Sequence, residues 1–325
     1  MGENVEPRLA SRHAAGHPCE IAVLVPCRNE ERTIASVVRK FRKLLPAGTI
    51  YVYDNNSSDS TVEAARTAGA VVRSEPRQGK GYVVRRMFAD IDADIYVLID
   101  GDDTYEAAAA PRLIQRLLHE RLDFVNGARV SQDANAYRRG HRLGNYLLTA
   151  LVRNIFGRQF TDMLSGYKVF SRRFVKSFPA MSGGFEIETE LVVHALGLRM
   201  PCAEEPTAYA ERSADSVSKL RTYSDGARIL ALIADLIRNE RPLQFFGAIG
   251  VALFTVAMSI DIPLVRTYFE MGLVPRLPTA LLSVGLLIIA VLSLLAGLIL
   301  DAVATMRQEM KRLAYLSIPP AGEPR

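Results

Sequence analysis

Over the first 130 residues, short apolar runs alternate with apolar positions at helical spacing. Ile21–Val25 is an unbroken run of the kind a buried parallel strand carries. Ile34, Val37, Val38, Phe41 and Leu45 then fall on one helical face. Ile50–Tyr53 reads as a second strand, and Val62, Ala65 and Ala68 as a short helix ending at Gly69. Ala70–Arg73 reads as a third strand, Gly81–Ala89 as a helix and Ile95–Ile99 as a fourth strand. Leu113, Ile114, Leu117 and Leu118 mark another helix before a strand begins at Phe124 and Val125. This alternation predicts an α/β layer with a mainly parallel sheet, whose ligands bind beyond the carboxyl ends of the strands.

The pattern loosens from Ser131 to Ala210 and changes again after it. Ile229, Leu230, Leu232, Ile233, Leu236 and Ile237 form an apolar stripe, with Arg221, Arg228 and Arg238 among the polar positions. A soluble packing helix would carry the same stripe, but the spans that follow favour an interfacial helix over 221–241. Leu243–Ile262 has one charge, Asp261, and Thr279–Leu300 has none. Each reaches the ~20 apolar residues that a helix needs to cross a bilayer. Arg238, Arg241, Arg307, Lys311 and Arg312 flank the outer ends, and Arg266, Glu270 and Arg276 lie in the connection. The positive-inside rule puts the flanks, the main domain and the C-terminus in the cytoplasm, at the plasma (inner) membrane. The expected organisation is a disordered arm over 1–18, a domain over 19–220, the interfacial helix, a transmembrane hairpin over 242–304 and a tail over 305–325.

Composition sharpens this picture only a little. Hydrophobic residues make up 49% of the 325, and the net charge is +5. With spans present, that charge suits an anionic membrane surface or a phosphorylated substrate rather than nucleic acid. The three cysteines, Cys19, Cys27 and Cys202, have the spacing of neither a disulfide framework nor a zinc site. The polar first 18 residues lack the apolar core of a signal peptide.

Candidate chemistry sits at the strand ends. Asp100-Gly101-Asp102-Asp103 follows the fourth strand directly. Two carboxylates at i and i+2 there suit a hard cation, Mg²⁺ or Mn²⁺, that also takes substrate phosphates; an acidic turn alone is often only solvated surface. After the second strand comes Asp54-Asn55-Asn56-Ser57-Ser58-Asp59-Ser60-Thr61. Its later residues read as turn and helix-cap chemistry, and Asp54 and Asn55 are placed to bond a base or ribose. Arg77-Gln78-Gly79-Lys80-Gly81 opens a helix and suits a phosphate contact, without Walker spacing.

Together with Pro26-Cys27-Arg28-Asn29-Glu30, these segments resemble, in order, the nucleotide-binding elements of family 2 glycosyltransferases of the GT-A fold. The resemblance covers roughly 20–220. It implies a nucleotide-sugar site lined by Pro26, Arg28, Glu30, Asp54, Asn55, Arg77 and Lys80. Asp100, Gly101 and Asp102 would form the D-x-D that handles metal and diphosphate. Asn55 stands where the family commonly has a second Asp.

The second half resembles the polyprenyl-phosphate branch, the dolichyl-phosphate mannose synthase relatives. Asp162-Met-Leu-Ser165-Gly166-Tyr167-Lys168 is similar to their D-x-x-S-G-[FY]-[KR] segment. Glu186-Ile-Glu188-Thr-Glu190 is similar to their acidic helix start; the three alternate, so they cannot all face one site. Arg212 with Ser216-Val-Ser218-Lys219 is similar to their acceptor-side run. By this resemblance Ser165, Lys168, Arg212, Ser218 and Lys219 lie on the acceptor side. Arg129, Arg212 and Lys219 become candidates for the lipid phosphate, joining Asp100 and Asp102 as catalytic residues. No carboxylate–His pair stands out as a general base. A phosphate monoester, with a second pKa of ~6, arrives ionised and needs cationic positioning instead.

The expected reaction is therefore an inverting, metal-dependent transfer from a nucleotide-sugar, UDP-linked by preference, to a polyprenyl phosphate. Expected partners are the donor, the lipid, the membrane and, as an open option, a second copy of the chain. The alternatives are a family 2 enzyme with a sugar hydroxyl acceptor and an inactive membrane scaffold. The first sits poorly with only two spans and no Q-x-x-R-W element, and the second with intact Lys80, Asp100 and Asp102.

Overall fold

The computed structural model describes residues 19–130, 160–180, 183–184, 186–210 and 234–322. Its elements form two compact units: one up to Gly226 together with the chain from Lys311 on, the other Ala227–Met310.

The first unit is a seven-stranded sheet with helices. Its strands are β1 (Ile21–Cys27), β2 (Thr49–Asp54), β3 (Val71–Ser74), β4 (Ile95–Leu98), β5 (Phe124–Val130), β6 (Lys168–Ser171) and β7 (Cys202–Ala208). The order across the sheet is β3-β2-β1-β4-β6-β5-β7. β1, β2, β3 and β4 pair in parallel, as do β5 and β7. β6 runs antiparallel to both of its neighbours, with Lys168 opposite Leu98 and Asn126. The expected parallel layer is present, but β5 does not lie beside β4. A four-residue strand from the loosely patterned stretch separates them.

The helices form where the apolar spacing places them. They are α1 (Ile34–Leu44), α2 (Thr61–Thr67), α3 (Lys80–Asp90), α4 (Ala110–His119), α5 (Arg172–Ser177) and α6 (Ile187–Gly197). α1 buries Ile34, Val37, Val38 and Phe41, and α4 buries Leu113, Ile114 and Leu117. These faces share one core with Val23, Val25, Val52, Val97 and Val169 of the sheet. α6 is different: it is buried almost all round, so its three alternating glutamates could not be assigned to faces from periodicity.

The second unit holds α7 (Pro242–Met271) and most of α8 (Leu277–Leu316). Both are long and apolar enough to be candidate membrane spans. Only 11% and 17% of their most apolar windows are buried. Core helices of a soluble protein would be covered. Within the hairpin Ser293 Oγ donates to Phe246 O at 3.0 Å. Two sequence boundaries shift. α7 continues beyond Ile262 through Pro263 to Met271, and α8 continues through the expected tail to Leu316. At ~1.5 Å per residue α8 is about twice as long as the ~30 Å hydrocarbon layer. Residues from Lys311 on pack with the first unit: Tyr315 OH donates to Asp123 Oδ2 at 2.7 Å, and Arg312 donates to Leu198 O at 2.8 Å. Residues 234–240 are helical, Arg241 is the cap of α7, and 221–233 of the expected interfacial helix lie outside the described residues.

Candidate active site

β1, β2 and β4 lie side by side and parallel, so their carboxyl ends come together, with Cys27 in register with Asp54. The loops leaving β1 and β2 are tied to each other. Asn29 and Asn56 take left-handed backbone conformations, at φ 54° and 60°, which asparagine tolerates better than most residues. Asn29 N–H donates to Ser57 Oγ at 2.9 Å, and Asn29 Oδ1 accepts from Ser58 N–H at 2.8 Å. Glu30 N–H donates to Thr61 Oγ1 at 2.8 Å, and Ser60 N–H donates to Glu31 Oε2 at 3.0 Å. Asp59 accepts from Thr61 N–H at 3.1 Å and from its hydroxyl at 2.5 Å. The later part of the Asp54–Thr61 run is thus turn chemistry, as its composition suggests.

Asp54 is the last residue of β2 and is buried. Its Oδ2 accepts from Ser57 N–H at 3.1 Å. Its Oδ1 is buried with no hydrogen-bond donor among the described residues. Asn55 behaves differently. Its amide donates to Glu75 O at 2.9 Å and Arg77 O at 2.7 Å, and its oxygen accepts from Gly79 N–H at 2.8 Å. Both N–H groups are therefore engaged in holding the β3–α3 loop, and none remains for the base or ribose contact expected of Asn55. That loop carries Arg77 to Lys80. Gly79 has φ 143°, and a Cβ there would lie 2.2 Å from Gly183 O, so only glycine fits. Arg77 lies over the Tyr82 ring at 6.0 Å. Arg28, leaving β1 beside the buried Pro26, faces Gln78; with the amide oriented to accept, its oxygen is 2.6 Å from Nη2.

Lys80 is the centre of the site. It starts α3, and its side chain is 9% exposed. Nζ lies 2.5 Å from Asp100 Oδ1 and 2.5 Å from Glu188 Oε1. Burial disfavours the ammonium, but the two carboxylates outweigh it and hold the Lys80 pKa above its ordinary value. Sequence reasoning did not single out Glu188 from its neighbours. The usable signal was that a buried lysine between strand ends needs more than one carboxylate.

The turn after β4 presents the other acids. Asp102 Oδ1 accepts from Thr104 Oγ1 at 2.6 Å and Thr104 N–H at 3.3 Å. Glu30 packs its carboxylate against Gly101, where a Cβ would lie 2.1 Å from Oε2. Gly166 comes as close to Asp100, since a Cβ on it would lie 2.1 Å from Oδ2.

The segment containing Gly166 is a buried scaffold. Ser165 and Lys168 are fully buried. Ser165 Oγ donates to Gly127 O at 2.5 Å. Lys168 Nζ donates to Ser165 O at 2.6 Å, Asn126 Oδ1 at 3.0 Å and Met163 O at 3.3 Å. Burial lowers the Lys168 pKa to about 8. Gly166 N–H donates to Tyr105 OH at 2.7 Å. Arg129, at the end of β5, grips Asp162 through Nε at 2.7 Å and Nη2 at 2.8 Å. Burial raises the Asp162 pKa, yet Arg129 more than offsets this and holds it below the usual carboxylate range. Among the described residues Ser165 and Lys168 are turned to backbone carbonyls and Asn126 beneath Asp100, and Arg129 is turned to Asp162. Arg212, Ser218 and Lys219 lie outside the described residues.

Comparison with known proteins bears on the family and the fold. Residues 22–178 match glycosyl transferase family 2. Over 303 residues the chain is 32% identical to the glycosyltransferase AglJ of Haloferax volcanii, spanning 92% of this chain and 99% of that protein. The chain belongs to glycosyl transferase family 2.

This glycosyltransferase is also 28% identical over 222 residues to a dolichyl-phosphate hexose transferase of Haloferax volcanii, spanning 68% of this chain and 96% of that one. Among solved structures it is similar to glucosyl-3-phosphoglycerate synthase from Mycobacterium tuberculosis in complex with Mn²⁺, UDP-glucose and phosphoglyceric acid. The TM-score is 0.54 at 28% identity, covering 67% of this chain and 79% of that one. The sheet is the GT-A fold expected from the motifs. Among the described residues no three His, Cys, Asp or Glu side chains form a ready metal cage. The Asp100–Asp102 turn offers two carboxylates of the type a hard cation takes together with diphosphate oxygens and water, with Asp100 Oδ1 also bonded to Lys80 Nζ.

Proposed function

We propose that the enzyme transfers a sugar from a UDP-sugar to a polyprenyl phosphate at the cytoplasmic face of the plasma membrane, with inversion at the anomeric carbon. The observation that carries the donor half is the meeting of Asp54, Lys80, Asp100 and Asp102 at one edge of the sheet. Asp54 Oδ1 is a buried acceptor in need of a donor. Uracil offers one imide N–H to such an oxygen. Guanine offers adjacent N–H groups that would ask for both carboxylate oxygens, and Oδ2 already accepts from Ser57. This favours UDP. Pro26, Arg28, Glu30 and Arg77 complete the nucleotide pocket. Asp100 and Asp102 would hold Mg²⁺ or Mn²⁺, which when bound neutralises charge on the leaving diphosphate. Lys80 places a fixed cation beside the same group, preorganised by Asp100 and Glu188.

The acceptor half rests on the similarity to a dolichyl-phosphate hexose transferase and on the two candidate spans. Residues 19–220 form the catalytic domain, 221–241 an interfacial helix, and 243–262 and 279–300 the membrane-embedded parts of the hairpin. Arg212, Ser218 and Lys219, at the end of the catalytic domain in sequence and just ahead of the interfacial helix, are the proposed partners of the lipid phosphate. Arginine and lysine there would hold the ionised phosphate in line with the sugar carbon, and no base is required.

Nucleotide release in detergent, followed with and without polyprenyl phosphate, tests both halves. Release should need divalent metal and should rise about tenfold or more with the lipid phosphate, well within what positioning of a reactant can supply. Arg212→Ala and Lys219→Ala should abolish most of that rise and leave UDP affinity unchanged. Stimulation by polyprenol or phosphoglyceric acid in place of the lipid phosphate would instead establish a hydroxyl acceptor or a soluble one.

A further inference from the structure

The third acid of the turn, Asp103, has no place in the proposed donor site, yet it makes the turn's best-defined contacts. Its backbone is left-handed, at φ 57°. Its carboxylate meets the polar side of α1. Oδ2 accepts from Ser36 Oγ at 2.9 Å, and Lys40 Nζ lies 2.7 Å from both oxygens. One turn earlier on the same side, Thr33 Oγ1 donates to Gly101 O at 2.8 Å. Thr33, Ser36 and Lys40 are spaced i, i+3, i+7, so all three face the turn from one stripe of the helix. The opposite stripe, Ile34, Val37, Val38 and Phe41, is locked in the core. The turn is thus gripped at Gly101 and Asp103, on either side of Asp102, by a helix that cannot rotate.

We infer that Asp103, Ser36 and Thr33 are positioning residues that hold Asp102 in the direction needed for the metal–diphosphate complex. Asp103 is an anchor and not a ligand. This rests on the donor reading above. Thr33 and Ser36 carry most of the effect, because each gives a directed hydrogen bond from a rigid element. Lys40 is 49% exposed and adds little. Free rotation of the turn would leave Asp102 in the protein but misdirected.

The test uses the full-length protein in detergent. Mn²⁺ affinity in the presence of UDP is read by electron paramagnetic resonance, beside kcat, donor KM and thermal melting. Asp103→Ala, Ser36→Ala and Thr33→Val should each weaken Mn²⁺ binding about tenfold and lower kcat by about ten- to a hundredfold, the scale of a small misplacement. Asp103→Asn should rescue both, since the asparagine oxygen still accepts from Ser36 Oγ, only the exposed Lys40 contact at the other position is lost, and asparagine tolerates the left-handed backbone. Melting should shift little in Thr33→Val, which keeps the side-chain shape. Three results would overturn the inference: wild-type Mn²⁺ affinity in the variants, activity loss that only follows loss of folded protein, or an Asp103→Asn defect as deep as that of Asp102→Asn, which would make Asp103 a ligand. Metal-independent UDP binding and turnover by the wild type would instead remove the donor reading on which the inference rests.

Discussion

Two polar regions meet at Asp100, and they are built on opposite plans. The loops after β1, β2 and β3 tie their backbones together but leave a buried carboxylate oxygen, Asp54 Oδ1, without a donor among the described residues. The 162–168 segment does the reverse. Ser165, Lys168 and the Arg129–Asp162 pair turn inward to carbonyls and to each other. Both carry the residue types of a binding motif. The difference teaches that a polar motif in this fold is either a site or its closed foundation, and the partners its polar atoms find distinguish the two, since both are buried. Lys80 and Lys168 show it within one residue type. Two carboxylates hold the first charged, while the second has neutral oxygens around it and a lowered pKa.

The sharpest way to break this contrast is to remove the lysine that belongs to both plans. Lys80→Ala leaves the buried Glu188 and the partly exposed Asp100 without their cation. It should cost about 3–5 kcal/mol of stability as well as nearly all turnover. Denaturant melts and donor turnover check this, and a stable but inactive variant would show that the buried pairing is not structural.

On the open side, Asp102→Asn should keep the fold and lower turnover by roughly 10²-fold, as for other lost preorganised groups. Turnover near the wild-type level in saturating Mg²⁺ or Mn²⁺ would remove Asp102 from the site.

On the closed side, Ser165→Ala orphans the buried Gly127 carbonyl. It should cost about 1–3 kcal/mol of stability while the KM for donor and for lipid stays within twofold of wild type. A changed lipid KM with unchanged melting would return Ser165 to the acceptor side.

The smallest effect is a pH slope. Burial brings Lys168 to about 8 from its ordinary 10.5. Between these values the unfolded chain holds a proton that the folded protein has released, so stability should rise with pH across that window. Paired melts of wild type and Lys168→Met should differ in slope there and run parallel below about pH 7. Equal slopes would mean that Lys168 is not held by burial as described.

The same contrast explains what could be read before the structure. Apolar runs located β1 to β4 and α1 because strands buried on both faces and one-sided helices leave periodic traces. β6 left none: it is four residues long and starts with a buried lysine. Asp54 and Lys80 were legible as candidates because one ends a strand and the other opens the helix after the next strand. Glu188 was not, since it reaches Lys80 across 108 positions of sequence from a helix with no polar face. Asn55, Ser165 and Lys168 were legible as motif members, but their inward direction depends on partners that only the tertiary fold supplies.

The central claim is a phosphate acceptor supplied with sugar by a nucleotide donor at the Asp54–Asp102 edge. Mass spectrometry of lipids recovered after incubating the full-length enzyme, polyprenyl phosphate, Mn²⁺ and a panel of UDP- and GDP-sugars tests it most directly. The account predicts a polyprenyl-phosphate-sugar from a UDP-linked donor, cleaved by mild acid as a glycosyl phosphate and absent when metal is chelated. A sugar carried on a hydroxyl, or free sugar and UDP with the lipid unchanged, would contradict it.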